Sequence, residues 1–350
     1  MANPNQFRVA RTADVFQDDG RMKGRNQALT VFDSCTHIEC FTFEEHLPHI
    51  SAEQIQDTQG ILVWSPWVDK QTLATPNDLL VVSRLGVGYD KVDVDACTQA
   101  DVAVFIAVGA VDRPMAEATV GWMIALGHHV LAKDRLSRNG QWSESFNYIG
   151  KELRDRTLGT VGLGGIAREL IRLLGTFKMN KPIAFDPFLD PQVAQELGVE
   201  LVELDELMKR ADFVSVHCPL SDQTRGLIGS SQLELMQPHA YLINTARGGI
   251  VDEQALYDAL KSNQIAGAAI DTFVDEPFTQ PPIFSDLENV LLAPHAIGVT
   301  DELMRDMGNA AGQAILDLSL GRRPSKGAVN PEVFDRPGFQ EKWHRLRVGN

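Results

Sequence analysis

From about residue 157 to residue 294, short apolar runs rich in Val, Ile and Ala alternate with stretches of helical periodicity. The runs fall at 158–162, 183–186, 213–217, 241–245, 267–271 and 290–293, with helix-like segments such as 166–174, 205–210 and 253–262 between them. A strand apolar on both faces needs cover on both faces, and intervening helices supply it when the strands run parallel. The pattern predicts a doubly wound α/β domain. The N-terminal third repeats the habit more weakly, with strands at 7–10, 60–64, 79–83 and 102–106 and helices around 51–57 and 94–100. Joining the halves, "DRPMAEATVGWMIALGHHVLAKD" (112–134) predicts one long helix. Asp112 suits its N-cap and Pro114 its first turn, while Met115, Ala118, Trp122, Met123, Leu126 and Val130 recur at helical spacing. A last helix, about 301–320, is expected to pack back on the first domain. At roughly 100–200 residues per domain, the expectation is two domains: 1–111 with 300–350, and 112–299.

Composition removes several alternatives. A formal net charge of −15 with no compensating basic block makes nucleic acid and anionic membrane surfaces poor partners. The chain shows no charged-then-apolar leader and no apolar run of about 18 residues, so a cytoplasmic protein is expected. Four cysteines in 350 residues are too few for a disulfide framework.

The first motif with chemistry in it is "TVGLGGIAREL" (160–170). A lone G-x-G-x-x-G/A is a weak signal, because glycines also mark ordinary turns. Here Gly162, Gly164 and Ala167 follow a predicted strand and open a predicted helix, as a dinucleotide site requires. Gly162 permits the tight turn, Gly164 lets a pyrophosphate approach the backbone, and the helix N-terminus faces the phosphate charge. Asp186 ends the next strand, 24 residues beyond Gly162, which suits a carboxylate accepting from the adenosine ribose hydroxyls. It would repel a phosphate on that ribose, and Pro187-Phe188-Leu189-Asp190 offers no basic residue to hold one. NAD is expected rather than NADP.

The second motif is "YLINTARGGIVDE" (241–253). A guanidinium just past an inner strand is costly to desolvate unless it meets an anion. Arg247, Asp271, Glu276 and His295 all lie at or beyond the ends of consecutive predicted strands, the edge where open parallel sheets bind ligands. The arrangement fits a reaction centre. Arg247 would fork onto a substrate carboxylate, His295 would exchange a proton with a neighbouring oxygen, and Glu276 would pair with His295 and favour its protonated form.

At these residues the chain resembles the D-isomer-specific 2-hydroxyacid dehydrogenases, a family that includes glycerate, phosphoglycerate, lactate and hydroxypyruvate enzymes. The likeness covers about 60–330 and is carried by "SRLGVGYDKVD" (83–93), "VGLGGIA" (161–167), "FDP" (185–187), "HCPL" (217–220), "INTARGGIVDE" (243–253), "AAIDTFVDEP" (268–277) and "APHAIG" (293–298). The resemblance implies a Rossmann NAD-binding domain inserted into a discontinuous, flavodoxin-like substrate domain. It implies Arg247 as carboxylate binder, His295 as acid/base and Glu276 as its partner. It further implies that Leu85, Gly86, Val87 and Gly88 hold the far side of the substrate carboxylate through their backbone, and that Asp271 lies near the nicotinamide carboxamide. Gly165, Ile166, Cys218, Thr245, Ala246 and Gly298 are the remaining cofactor contacts that it implies, together with a homodimer. Two departures stand out: Gly165 replaces a larger or polar residue often found there, and Leu85 leaves the substrate loop apolar on its leading side.

Other readings carry less. "CTHIECFTFEEHLPH" (35–49) invites a zinc reading, but its spacing is irregular and crosses strand-like residues, so no metal is expected. His128 and His129 are read as solvent-facing within the long helix or as part of a subunit contact. The same fold also serves corepressor-like proteins that sense NAD and act through partners. The short mixed tail after residue 329 carries no basic or motif-bearing segment in favour of that alternative.

Overall fold

Parallel pairing runs through both sheets, as unbroken apolar strands require. The computed structural model describes residues 6–15 and 30–347, and the chain divides into two compact units, Met1–Val111 with Val299–Asn350, and Asp112–Gly298.

In the first unit, strands β1 (Phe7–Arg11), β2 (Ile38–Thr42), β3 (Gly60–Val63), β4 (Val81–Arg84) and β5 (Ala103–Phe105) form one sheet in the order β2-β1-β3-β4-β5. This is the flavodoxin-like order. Helix α1 (Val94–Gln99) is capped by Asp93, whose side chain accepts from the Ala96 amide. The chain returns to this unit through α9 (Asp301–Ser319) and α10 (Pro337–Leu346). The Ser83 hydroxyl donates to the Ala311 carbonyl at 2.9 Å, and the absent side chain of Gly60 admits Ile315. The tail, read from sequence as merely short and mixed, folds as α10. It buries Phe339 and places the Lys342 ammonium on the carbonyls of Leu79, Ala100 and Asp101 at 3.0, 3.0 and 3.2 Å. Residues 51–57 form turns rather than the expected helix. Ser51 and Gln54 exchange backbone–side-chain bonds, and so short a segment does not meet the cost of nucleating a helix.

In the second unit, β6 (Leu158–Val161), β7 (Ile183–Phe185), β8 (Glu200–Leu201), β9 (Phe213–Val216), β10 (Tyr241–Asn244), β11 (Gly267–Ile270) and β12 (Val290–Leu292) take the order β12-β11-β10-β9-β6-β7-β8. The order reverses between β6 and β9, which is the switch point of a Rossmann sheet. Its helices are α2 (Asp112–Gly127), α3 (Val130–Arg138), α4 (Gly165–Leu174), α5 (Pro191–Glu196), α6 (Leu204–Arg210), α7 (Ser230–Leu233) and α8 (Glu253–Lys261). One face of the sheet meets Ala116, Trp122, Met123 and Leu126 of α2, and the other meets Leu207, Leu233, Leu256 and Leu260. The long helix expected over 112–134 is two helices. The segment at Gly150–Lys151 packs on the backbone of Gly127, the Lys151 amide donates to the Gly127 carbonyl at 2.7 Å, and His129 turns the chain through a left-handed residue (φ 52°).

Candidate active site

The turns at the carboxyl edge of the second sheet are built by backbone bonds that aim a few side chains. After β10, Asn244 spans its own turn: its amide group donates to the Arg247 carbonyl at 3.0 Å, and its side-chain oxygen accepts from the Ala246 amide at 3.1 Å. Arg247 is thereby presented just past the strand, one guanidinium N–H resting on the Ala246 carbonyl at 2.8 Å. Gly248 follows because a side chain there would overlap the Phe273 carbonyl, so the turns after β10 and β11 lie backbone to backbone. Asp271, directly after β11, is buried and accepts from the amides of Ala296 and Ile297 at 2.8 and 3.1 Å. Burial raises its carboxyl above the ordinary range, opposed by those two amides and by His295, and reinforced by Glu276.

His295 closes the arrangement. Its amide donates to the Asp271 carbonyl at 2.7 Å, and its backbone is left-handed. The Nδ1 position lies 2.7 Å from Glu276 Oε2, while the other Glu276 oxygen accepts from the Phe273 amide at 2.6 Å. Burial alone would raise the Glu276 carboxyl, but the hydrogen bond and charge of His295, the Phe273 amide and the nearby Arg247 together hold it below the usual range. With 46 % of the His295 side chain exposed, Nε2 remains accessible to a reactant. A ring with one nitrogen held by a carboxylate and the other open can pass a proton. The sequence-predicted Arg247, Asp271, Glu276 and His295 are therefore brought to one edge of one sheet. Asn244 was missed by sequence reasoning, although an Asn closing an apolar strand two residues before a turn is a usable signal.

The head of α4 suits a dinucleotide. Gly162 is left-handed (φ 93°), and a side chain there would press on the Cys218 backbone, so the turn can close on β9 only with glycine. Nothing lies within 4 Å of where a Gly164 side chain would stand, and Gly164, Gly165 and the partly covered Ile166 open the helix toward solvent. The Thr245 hydroxyl at the same edge is buried without a hydrogen-bond partner among the described residues. These features leave room and orphaned polarity where a pyrophosphate and nicotinamide would lie. Asp186 accepts from the Leu163 and Phe188 amides at 2.9 and 3.1 Å, one on each oxygen, leaving lone pairs for ribose hydroxyls. Cys218 sits beside this turn with its thiol pushed up to about 11 by burial, so it stays protonated. Gly165 has its side-chain space filled by the Asp112 carboxylate, which accounts for glycine at that departure from the family pattern; Gly298 packs on Met115.

The loop 85–88 belongs to the first unit. Gly86 has φ 145°, the Arg84 guanidinium donates to the Gly88 carbonyl at 2.9 Å, and Leu85 is buried. Among the described residues the amides of Gly86, Val87 and Gly88 donate to no other group, as an anion-binding turn requires. The described residues contain no cluster of three or more His, Cys, Asp or Glu able to hold a metal, and no helix long and apolar enough to cross a membrane. In the stretch considered for zinc, His37 approaches the Ser319 hydroxyl and His49 pairs with Asp69.

Residues 120–296 match the D-isomer specific 2-hydroxyacid dehydrogenase, NAD binding domain. The chain is 36 % identical over 298 residues to D-3-phosphoglycerate dehydrogenase of Methanocaldococcus jannaschii, covering 84 % of this chain and 55 % of that one. It is 33 % identical over 314 residues to glyoxylate reductase of Korarchaeum cryptofilum, covering 87 % and 94 %. A crystal structure of a glyoxylate reductase from Paecilomyes thermophila superposes with a TM-score of 0.77 at 25 % identity, covering 94 % of this chain and 99 % of that one. The chain spans about half the length of the phosphoglycerate dehydrogenases that it matches. It belongs to the D-isomer specific 2-hydroxyacid dehydrogenase family.

Proposed function

We propose that the protein interconverts a small 2-keto acid and its D-2-hydroxy acid with NAD(H). The observation that carries this reading is the Nδ1-bound His295–Glu276 pair on the same sheet edge as Arg247. Bound NADH supplies hydride to C2. As hydride arrives, negative charge grows on the carbonyl oxygen, and protonated His295 gives up its Nε2 proton there, so that charge never accumulates. Glu276 remains ionised and holds the ring that forms the cation. Arg247 fixes the substrate carboxylate. In the oxidative direction the neutral ring takes the hydroxyl proton back.

The substrate we infer is unphosphorylated. The loop 85–88 carries no basic side chain, and its leading residue, Leu85, is turned into the protein. Association into a homodimer is part of the same proposal. The test is to incubate the protein with NADH and a panel of glyoxylate, pyruvate, hydroxypyruvate and 3-phosphohydroxypyruvate, following loss of NADH absorbance. Turnover is expected with unphosphorylated acids. Binding of NADH without turnover of any of them would mean that the fold serves a corepressor-like sensor instead.

A further inference from the structure

Two consecutive amides after β11 are held by two different carboxylates. The Phe273 amide donates to Glu276 Oε1 at 2.6 Å, and the Val274 amide donates to Glu253 Oε1 at 2.7 Å. Glu253 is the first residue of α8, where an acidic side chain ordinarily does no more than face the helix dipole from solvent. Here it is half-buried and reaches across to another loop. Burial raises its carboxyl, and the charges of Asp275, Glu276 and Asp252 add to that rise, against the single opposing bond from Val274. The same stretch of backbone is braced a second time, because Gly248 lies directly against the Phe273 carbonyl and the Val274 nitrogen.

We propose that Glu253 is a positioning residue for the acid/base pair: it fixes the 273–274 peptide so that the Phe273 amide keeps Glu276 aimed at His295. The inference rests on the functional reading above, because it assumes that this pair carries the proton. Losing the Glu253 acceptor frees the Val274 amide, and the peptide can then rotate. Phe273 loosens its hold on Glu276, and the negative charge facing His295 Nδ1 becomes less constant. The charged groups facing this region are Arg247, Asp271 and Glu276 around the ring, Asp252 and Asp275 around Glu253, and Arg225, which lies against Gly249. None of these changes in the variants below except Glu276 itself.

The test is an NMR titration of the His295 ring in the full-length wild type, Glu253→Ala, Glu253→Gln and Glu276→Gln. Glu276→Gln is expected to lower the ring's midpoint, because it removes the anion at Nδ1. Glu253→Ala should lower it in the same direction by a smaller amount, and Glu253→Gln, which keeps the amide-accepting oxygen, should restore the wild-type value. The upper limb of the kcat profile for keto-acid reduction should follow the same order, while the Kd for NADH stays within about twofold of wild type in both Glu253 variants. An unmoved His295 midpoint in Glu253→Ala, or a Glu253→Gln that behaves like Glu253→Ala, would overturn the proposal. Hydrogen exchange of the wild type gives a check that needs no variant to fold: a Val274 amide exchanging as fast as an unprotected one also overturns it. The titration needs no substrate. A protein that reduces no keto acid yet shows these shifts therefore loses the functional reading and keeps the positioning one.

Discussion

His295 occupies a left-handed backbone conformation that a side-chain-bearing residue adopts at a cost of order 1–3 kcal/mol. The bonds from Asp271 and Glu276 hold it there, so its ring position belongs to the surrounding turns rather than to its own preference. His295→Gln should lower kcat about 10²–10⁴-fold while leaving the Kd for NADH near wild type, because Gly162, Gly164 and Asp186, the residues proposed to face the cofactor, are untouched. Arg247→Ala should act on KM for the keto acid, at roughly 1.5–3 kcal/mol per charge-assisted hydrogen bond lost. For Glu276 the sign follows from charge. Its carboxyl is held below the ordinary range, so it is anionic wherever the ring titrates, and an anion beside the ring favours the imidazolium. Glu276→Gln removes that anion and should move the upper limb of the reduction profile to lower pH; pH-rate profiles at saturating NADH measure all three variants. Near-normal turnover in His295→Gln would mean that the proton comes from elsewhere. Asp186 bears on a separate choice: with no basic residue at positions 187–190 to hold a 2′-phosphate, NADH should be favoured over NADPH by more than tenfold in kcat/KM, or about 1.4 kcal/mol. Equal efficiencies would remove the role assigned to that carboxylate.

Among the elements, a segment was legible to the extent that it carried a strong apolar period. The inner strands of the second unit lie within a residue of where their Val, Ile and Ala runs fall, because burial on both faces leaves little freedom in composition. Edge strands do not share that constraint. β2 is half-buried along most of its length and β8 throughout, so neither carries an unbroken apolar run. The break at His129 depends on the chain at Gly150–Lys151 packing against Gly127, and α10 on Lys342 finding three distant carbonyls; both are contacts that a local window does not contain. At the site, Arg247, Glu276 and His295 were readable from residue type and strand-end position. Asn244 acts within its own turn, where an Asn closing an apolar strand is a local signal, whereas Glu253 reaches the backbone of another loop, a contact that no local window contains. Gly248 is the sharpest case of such coupling. Gly248→Ala should force the turns after β10 and β11 apart, with a loss of about 1–3 kcal/mol typical of overpacking and a fall in kcat. A thermal melt read beside NADH titration checks this, and an unchanged melting temperature with full activity would contradict the close approach.

For the whole molecule, the second unit exposes several large apolar side chains in α3 and in the segment that follows it. Trp142, Phe146 and Ile149 are 84, 83 and 76 % exposed, and Val130 and Leu131 of α3 are 45 and 49 % exposed. Trp122 of α2, by contrast, is packed inside its own unit. Exposed apolar residues of this kind support the proposed association. The expected assembly is a two-fold dimer, seen by sedimentation as twice 38.6 kDa at micromolar concentration. Trp142→Ser with Phe146→Ser should shift it toward monomer, and a wild-type monomer under those conditions would rule the assembly out.

The packing of Gly298 on Met115 has a consequence for how such a chain can arise. The last residue of the second unit lies against the first turns of its opening helix, so the segment leaves its host fold and returns at nearly one place. A segment closed on itself in this way needs only a surface loop in its host, which is where domain insertion is tolerated. Arg247, Glu276, His295 and the dinucleotide turn all travel within that segment, while the 85–88 amides stay behind with the host. A single recombination event that moved this segment into another host would therefore change the 85–88 turn without altering Arg247, Glu276 or His295.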